Sequence, residues 1–229
     1  MARYFNGSSR IALADNAALA FGSDVDNDGP FSFSFWIKYY ATSNAGTQFI
    51  ASWGNYKATP SFNIITYNDL GSNPGRLLIN VEGGNGSNAS LLTDTAMNDS
   101  AWHHVAIVFD GSVLRAYVDG AVETTTTTKA DLDRVDVAEP WRFGVRSLLY
   151  SYLDAADMAE WAKWDLELSA EQITALAAGV RPVDIGQRPD WYVPMLGDLH
   201  EEINDIAITY SGTAIAEHPP KIVPAGSMI

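Results

Sequence analysis

The run from Trp102 to Gly120, WHHVAIVFDGSVLRAYVDG, constrains what this chain can become more than any other stretch. Two apolar arms split by Asp110-Gly111 are the strongest short-range signal for a β-hairpin. Successive side chains alternate across a strand, so His103, Val105, Ile107 and Phe109 take one face and His104, Ala106 and Val108 the other. Both faces are mostly apolar. A strand that is apolar on both sides belongs inside a layered structure, which predicts a central hairpin.

The rest of the chain reads as more strands. Residues 3–13 and 31–40 alternate, with Phe31, Phe33, Phe35 and Ile37 predicted as core and Ser32, Ser34, Trp36 and Lys38 opposite them. Gln48 to Trp53, Ser61 to Tyr67 and Arg76 to Val81 follow, separated by turn residues. Glu82 to Ser90, EGGNGSNAS, is rich in glycine and asparagine and is expected to be an exposed, mobile loop. The threonine run within Val122 to Lys129 predicts an edge strand. Trp141 to Val145, Leu148 to Leu153 and a closing strand Met158 to Trp164 continue the sheets. Ser169 and Gln172 then form the capping-box pattern of a short helix, with Ile173 and Leu176 as its buried stripe and Gly179 as its stop. Beyond Arg181 prolines become frequent, and Trp191 to Leu196 and Ile206 to Tyr210 read as further strands. The ending HPPKIVPAGSMI lacks the N–H donors that a helix or central strand requires and is expected to be an extended arm. The expected organisation is a sandwich over residues 1–180 and an extension, 181–229, packed on it.

Composition narrows the function classes. The 229 residues carry a formal charge of -14. That balance argues against nucleic acid and anionic membrane surfaces, which would repel it. Cysteine is absent, which removes disulfides, thiolate metal sites and cysteine nucleophiles. MARYFNGSS leads directly into the first strand, so no Sec-type signal peptide is read. No stretch approaches the roughly 18 apolar residues of a membrane helix.

These segments together resemble the laminin G-like branch of the concanavalin A-like lectin/glucanase superfamily. The resemblance lies in Trp102-His103-His104-Val105-Ala106, the Asp110-Gly111 turn and Tyr117-Val118-Asp119-Gly120, with Arg3 to Leu13, Pro30 to Lys38 and Asp157 to Leu176 matching other strands. It implies an all-β jelly-roll sandwich of two antiparallel sheets with one short helix. The superfamily hosts diverse functions, so function must be argued from the site.

Five groups of residues come into question. Asp24, Asp26 and Asp28 stand at alternate positions before Gly29, the spacing with which an oxygen-lined loop begins to wrap calcium. The twelfth position is Phe35 and the flanks are strands, so this is not an EF-hand. Relatives of this fold carry calcium in such a loop, so calcium is the candidate cofactor here, and a plain polar turn is the alternative. The resemblance also points to an acidic pair in the closing strand. Here it stands as Ala159-Glu160, which leaves that ligand position without a carboxylate and places Glu160, by strict alternation, on the face of Met158, Ala162 and Trp164. Asp131, Asp133 and Asp136 invite comparison with the paired glutamates of glucanases, but Asp133 and Asp136 fall on opposite faces of a regular strand. His103 and His104 point to opposite faces and cannot share a metal. Trp53, Tyr56 and Tyr67, near turns, are the candidate platform for stacking against sugar rings.

The first functional reading is a non-catalytic structural protein, a virion accessory protein of a tailed bacteriophage, whose partners are other virion proteins or itself. The alternative is a calcium-assisted glycan-binding module that contacts cell-surface glycans. A glycoside hydrolase ranks third.

Overall fold

The computed structural model describes residues 2–16, 29–40, 47–54, 61–66, 73–83, 86–128, 139–146, 152–195, 199–219 and 222. Among them the chain forms fifteen strands. First come β1 (Ala2–Asn6), β2 (Arg10–Leu13), β3 (Phe31–Tyr40), β4 (Gln48–Gly54) and β5 (Ser61–Thr66). Then follow β6 (Leu77–Glu82), β7 (Asn88–Leu92), β8 (Asp99–Phe109), β9 (Val113–Val118) and β10 (Ala121–Thr128). β11 (Trp141–Phe143) and β12 (Asp154–Trp164) lead into helix α1 (Ala170–Ala177), and β13 (Trp191–Val193), β14 (Ile208–Ser211) and β15 (Ala214–Ala216) end the series.

The strands make two antiparallel sheets, a jelly-roll sandwich. One runs β10-β9-β8-β3-β12-β1-β15, with β13 also paired to β12; the other runs β14-β2-β11-β4-β5-β6-β7. The predicted hairpin is β8–β9, and β8 pairs with β3 over most of its length. Period-two alternation on β3 and β8 sends Phe31, Phe33, Phe35, Ile37, Val105, Ile107 and Phe109 into the space between the sheets. There Phe33 stacks on Phe62 with centroids 4.8 Å apart, and Phe35 lies flat on Trp161 at 4.0 Å. Each such ring contributes about 2–3 kcal/mol of transfer free energy. The other face of β8 is apolar because it too is covered. Ala106, Val108, Ala162, Trp164 and Tyr192 pack under Leu168, Ile173 and Leu176. The capping box holds α1 in place there, with Ser169 Oγ accepting from the Gln172 N–H and Gln172 Oε1 from the Ser169 N–H.

Several sequence expectations change. Residues 3–13 are not one strand. The chain turns at Gly7, whose φ of +81° suits a residue without Cβ, and passes from one sheet to the other. Asn6 Oδ1 holds that corner by accepting from the Ser8 N–H and the Ser9 hydroxyl. The stretch expected to be an exposed loop enters β7 at Asn88 and buries Ala89, because pairing with β6 supplies partners that composition does not reveal. The closing strand begins at Asp154, four residues before Met158. β15 was not anticipated from the sequence. Leu148 and residues 131–136 lie outside the described residues.

β10 is the edge strand expected from the threonine run, and it is sealed. Glu123 Oε2 accepts from the N–H groups of Asp94 and Thr95, and Oε1 from the Thr95 hydroxyl, tying the edge to the connection after β7. On the opposite side the extension closes both sheets, with β14 beside β2 and β15 beside β1.

Candidate functional site

Five of the seven tryptophans, Trp53, Trp141, Trp161, Trp164 and Trp191, have fully buried side chains. Trp53 belongs to this group. Its ring is stacked toward Trp141 with centroids 6.3 Å apart, so it is a core residue and cannot serve as a sugar platform. Tyr56, Tyr67, Asp24, Asp26 and Asp28 lie outside the described residues.

The other two tryptophans meet on the outward face of the eight-stranded sheet, on the half that α1 leaves uncovered. Register builds this face. Trp36 sits between His104 and Ala159, while Lys38 sits between Trp102 and Asp157. Tyr40 is next outward on β3, and Ala2 and Tyr4 come from β1. Trp36, Ala2 and Ala159 form a small apolar cluster against which Trp102, Ala216 and Ile222 pack.

Polar groups sit among these rings. Tyr40 donates its hydroxyl to Asp157 Oδ2 at 2.7 Å, and Lys38 Nζ lies 5.1 Å from the centre of the Tyr40 ring. Tyr4 meets Tyr40 edge-on at 6.4 Å. Burial pushes the Asp157 carboxyl and the Tyr40 phenol above their ordinary values, and the Tyr40 hydroxyl, with Asp157 and Glu217, raises the Lys38 ammonium. An indole face, a carboxylate and an ammonium in one shallow surface are the groups that recognise a ring bearing C–H on one side and hydroxyls on its rim.

Glu160 departs from the sequence expectation. β12 carries a bulge between Ala159 and Ala162, where three residues span two of β3, and Glu160 has φ +57°. The bulge resets alternation. Met158 and Trp161 face the core, whereas Ala162 and Trp164 face outward, so Met158 does not share their face. The Glu160 carboxylate accepts from the Tyr192 hydroxyl through Oε2 and contacts His218 Nε2 at 2.8 Å through Oε1. Burial and the Glu160 charge raise the Tyr192 phenol far above its ordinary value, so it remains a donor. With both oxygens engaged, Glu160 is a structural acceptor.

The histidine pair divides as alternation predicts. His104 is buried, bonds Ser34 Oγ through Nε2 at 2.8 Å, and is pushed down to about 3 by desolvation, so it is neutral. His103 faces the other way, between Asp119 and Asp99. At the far end of the sheet, Asp165, Arg188, Asp190, Ile203 and Asn204 line a recess of about 260 Å³. Its polar groups bond one another, the Asp165 N–H to Asp190 Oδ2 and the Asn204 amide to the Asp190 carbonyl. Among the described residues no group of three or more His, Asp or Glu side chains is placed to hold a metal.

The outward face was missed by sequence reading, although Trp36, Lys38 and Tyr40 at i, i+2 and i+4 could have flagged it. Three side chains able to contact a ligand on the less apolar side of a strand are a signal in themselves.

No curated protein matches the sequence. Among solved structures, a candidate carbohydrate binding protein of Bacteroides ovatus superposes with a TM-score of 0.67 at 14% identity, covering 97% of this chain and 62% of that one. The binding domain of Paraclostridial Mosquitocidal Protein 1 gives 0.60 at 15% identity, covering 77% of this chain and 42% of its own. The heptameric SAP-like pentraxin of Limulus polyphemus gives 0.54 at 15% identity, with 89% and 94% covered. The chain thus spans about two fifths of the length of the toxin domain it matches. These likenesses concern the fold. Residues 6–174 match the laminin G profile of the Concanavalin A-like lectin/glucanases superfamily, and the chain belongs to that superfamily.

Proposed function

We propose that this chain is a non-catalytic carbohydrate-binding domain whose contact surface is the outward face formed by Trp36, Trp102, Tyr4, Tyr40, Lys38 and Asp157. The observation that carries this reading is the division of the tryptophans. Five are fixed in the core, while the remaining two lie together among a carboxylate, an ammonium and two phenols. Hydrolysis needs two carboxylates flanking the bond, one of them able to deliver a proton. On this face Glu160 already has both oxygens bonded, and Asp157 is held by Tyr40, which favours binding over turnover. The likeness to a candidate carbohydrate binding protein and to a toxin binding domain agrees with this reading.

Calcium at Asp24, Asp26 and Asp28 belongs to the same proposal as an assisting ion. A virion accessory protein would use the face to meet a host-surface glycan. The eleven charge-free residues from Ile206 to Ala216, which form both sheet edges on that side and expose Tyr210 and Ile215, would meet neighbouring subunits.

The test is a glycan array probed with the folded protein in calcium and again in chelator. A reproducible hit is expected. Trp102→Ala should weaken it about tenfold or more, equivalent to about 1.4 kcal/mol. Loss of binding in chelator would support calcium, and persistence would remove the ion while keeping the lectin. A blank array from folded protein would sink the carbohydrate reading.

A further inference from the structure

The outward face is partly occupied by the chain's own C-terminus. After β15 the sequence continues Glu217-His218-Pro219-Pro220, and proline cannot supply the N–H that would extend pairing with β1. His218 and Ile222 accordingly lie over the face and not along the edge. His218 reaches Glu160 Oε1 at 2.8 Å, Pro219 is buried, and Ile222 packs on the cluster of Ala2, Trp36 and Ala159 beside Trp102. Glu217 acts electrostatically on Lys38 and Asp157. Trp36 keeps only 4% of its surface exposed.

The attachment is made by side chains. Among the described residues no main-chain hydrogen bond ties residues 217–222 to the sheet; the Ile222 N–H turns back to the Pro219 carbonyl at 3.5 Å. Two anchors, one to Glu160 and one to the tryptophan cluster, hold a segment that lies on the same side chains a sugar would contact.

We infer that Glu217, His218, Pro219 and Ile222 form a displaceable cover over the aromatic face, competing with the ligand for Trp36, Trp102, Lys38 and Asp157. What the cover excludes rests on the carbohydrate reading above; the cover itself rests on the contacts alone. The apparent affinity of the full chain is then the intrinsic affinity multiplied by the fraction of molecules whose face is open.

Trp36 and Trp102 are the two tryptophans outside the fully buried set, so acrylamide quenching of tryptophan fluorescence reads this face selectively. The experiment compares the full chain, a truncation after Ala216, and the full chain carrying Ile222→Asp. Quenching and affinity for the strongest array glycan are measured on each. Both variants should be quenched more than the wild type and should bind the glycan about fivefold or more tightly. Quenching unchanged in Ile222→Asp would overturn the cover, whether or not the truncated chain folds. Greater quenching with equal glycan affinity in all forms would overturn the competition. Greater quenching with no glycan bound by any form would leave the cover standing and sink the carbohydrate reading.

Discussion

At His103 the ring Nδ1 lies 2.8 Å from Asp119 Oδ2 and Nε2 lies 3.1 Å from Asp99 Oδ1. The hydrogen bond with Asp119, aided by Asp99 and opposed by burial, holds the imidazole above its ordinary value of 6.5. Burial raises the Asp119 carboxyl, but its bonds from His103 and from the His104 N–H outweigh that and hold it low. The sign follows from linkage. A group whose folded pKa is raised contributes fully below its unfolded value and loses that contribution as pH rises through the folded one. Thermal unfolding midpoints should therefore fall as pH climbs from about 6.5, the unfolded value, and His103→Asn should flatten that part of the profile. An identical slope in the variant would refute the assignment. Its sequence neighbour His104, kept neutral by burial against Ser34, acts with the opposite sign, costing stability as pH falls below about 6.5, where only the unfolded imidazole takes up a proton. Alternation along one strand separated these two residues, and that much was readable from WHHVA.

At the scale of elements, α1 and β12 show opposite degrees of legibility. The helix was readable because a capping box is a local device, complete within four residues. Ser169→Ala removes the acceptor for the Gln172 N–H and should cost about 1 kcal/mol. Calorimetry should show the midpoint lowered by about 2–4 °C for a chain of this size, with glycan binding unchanged because α1 covers the other half of the sheet. No change in midpoint would mean that the cap is idle. The β12 bulge could not be read. Strict alternation placed Glu160 with Met158, but the extra residue is accommodated only because β3 on one side and the Pro194 carbonyl on the other accept the kinked backbone. Neither partner is local in sequence. The same holds for β7 and β15, short segments whose pairing is supplied by strands already in place.

For the molecule as a whole, the extension is part of both sheets. β13 pairs with β12, β14 with β2 and β15 with β1, and Trp191 and Val193 join the central core. The family match ends at residue 174, before all three strands. A chain ending at Val180 would expose two sheet edges and the core around Trp141 and Trp161, which leaves open edges that invite aggregation. We expect residues 1–180 expressed alone to be insoluble or to lack a cooperative unfolding transition. A soluble, cooperatively folding 1–180 would show that the extension is dispensable.

The sequence by itself determined the strand alternation, the Asp-Gly hairpin, the helix cap and thereby the sandwich class. Each depends on side-chain periodicity or turn chemistry within a few residues. Only the tertiary structure decided which tryptophans are fully buried and which two meet on the outward face, where the β12 bulge turns Glu160, and that His218 reaches Glu160 while Ile222 packs on Trp36. Those outcomes depend on which strands become neighbours. Register between segments distant in sequence is set by the packing of the whole core, and no single stretch carries it.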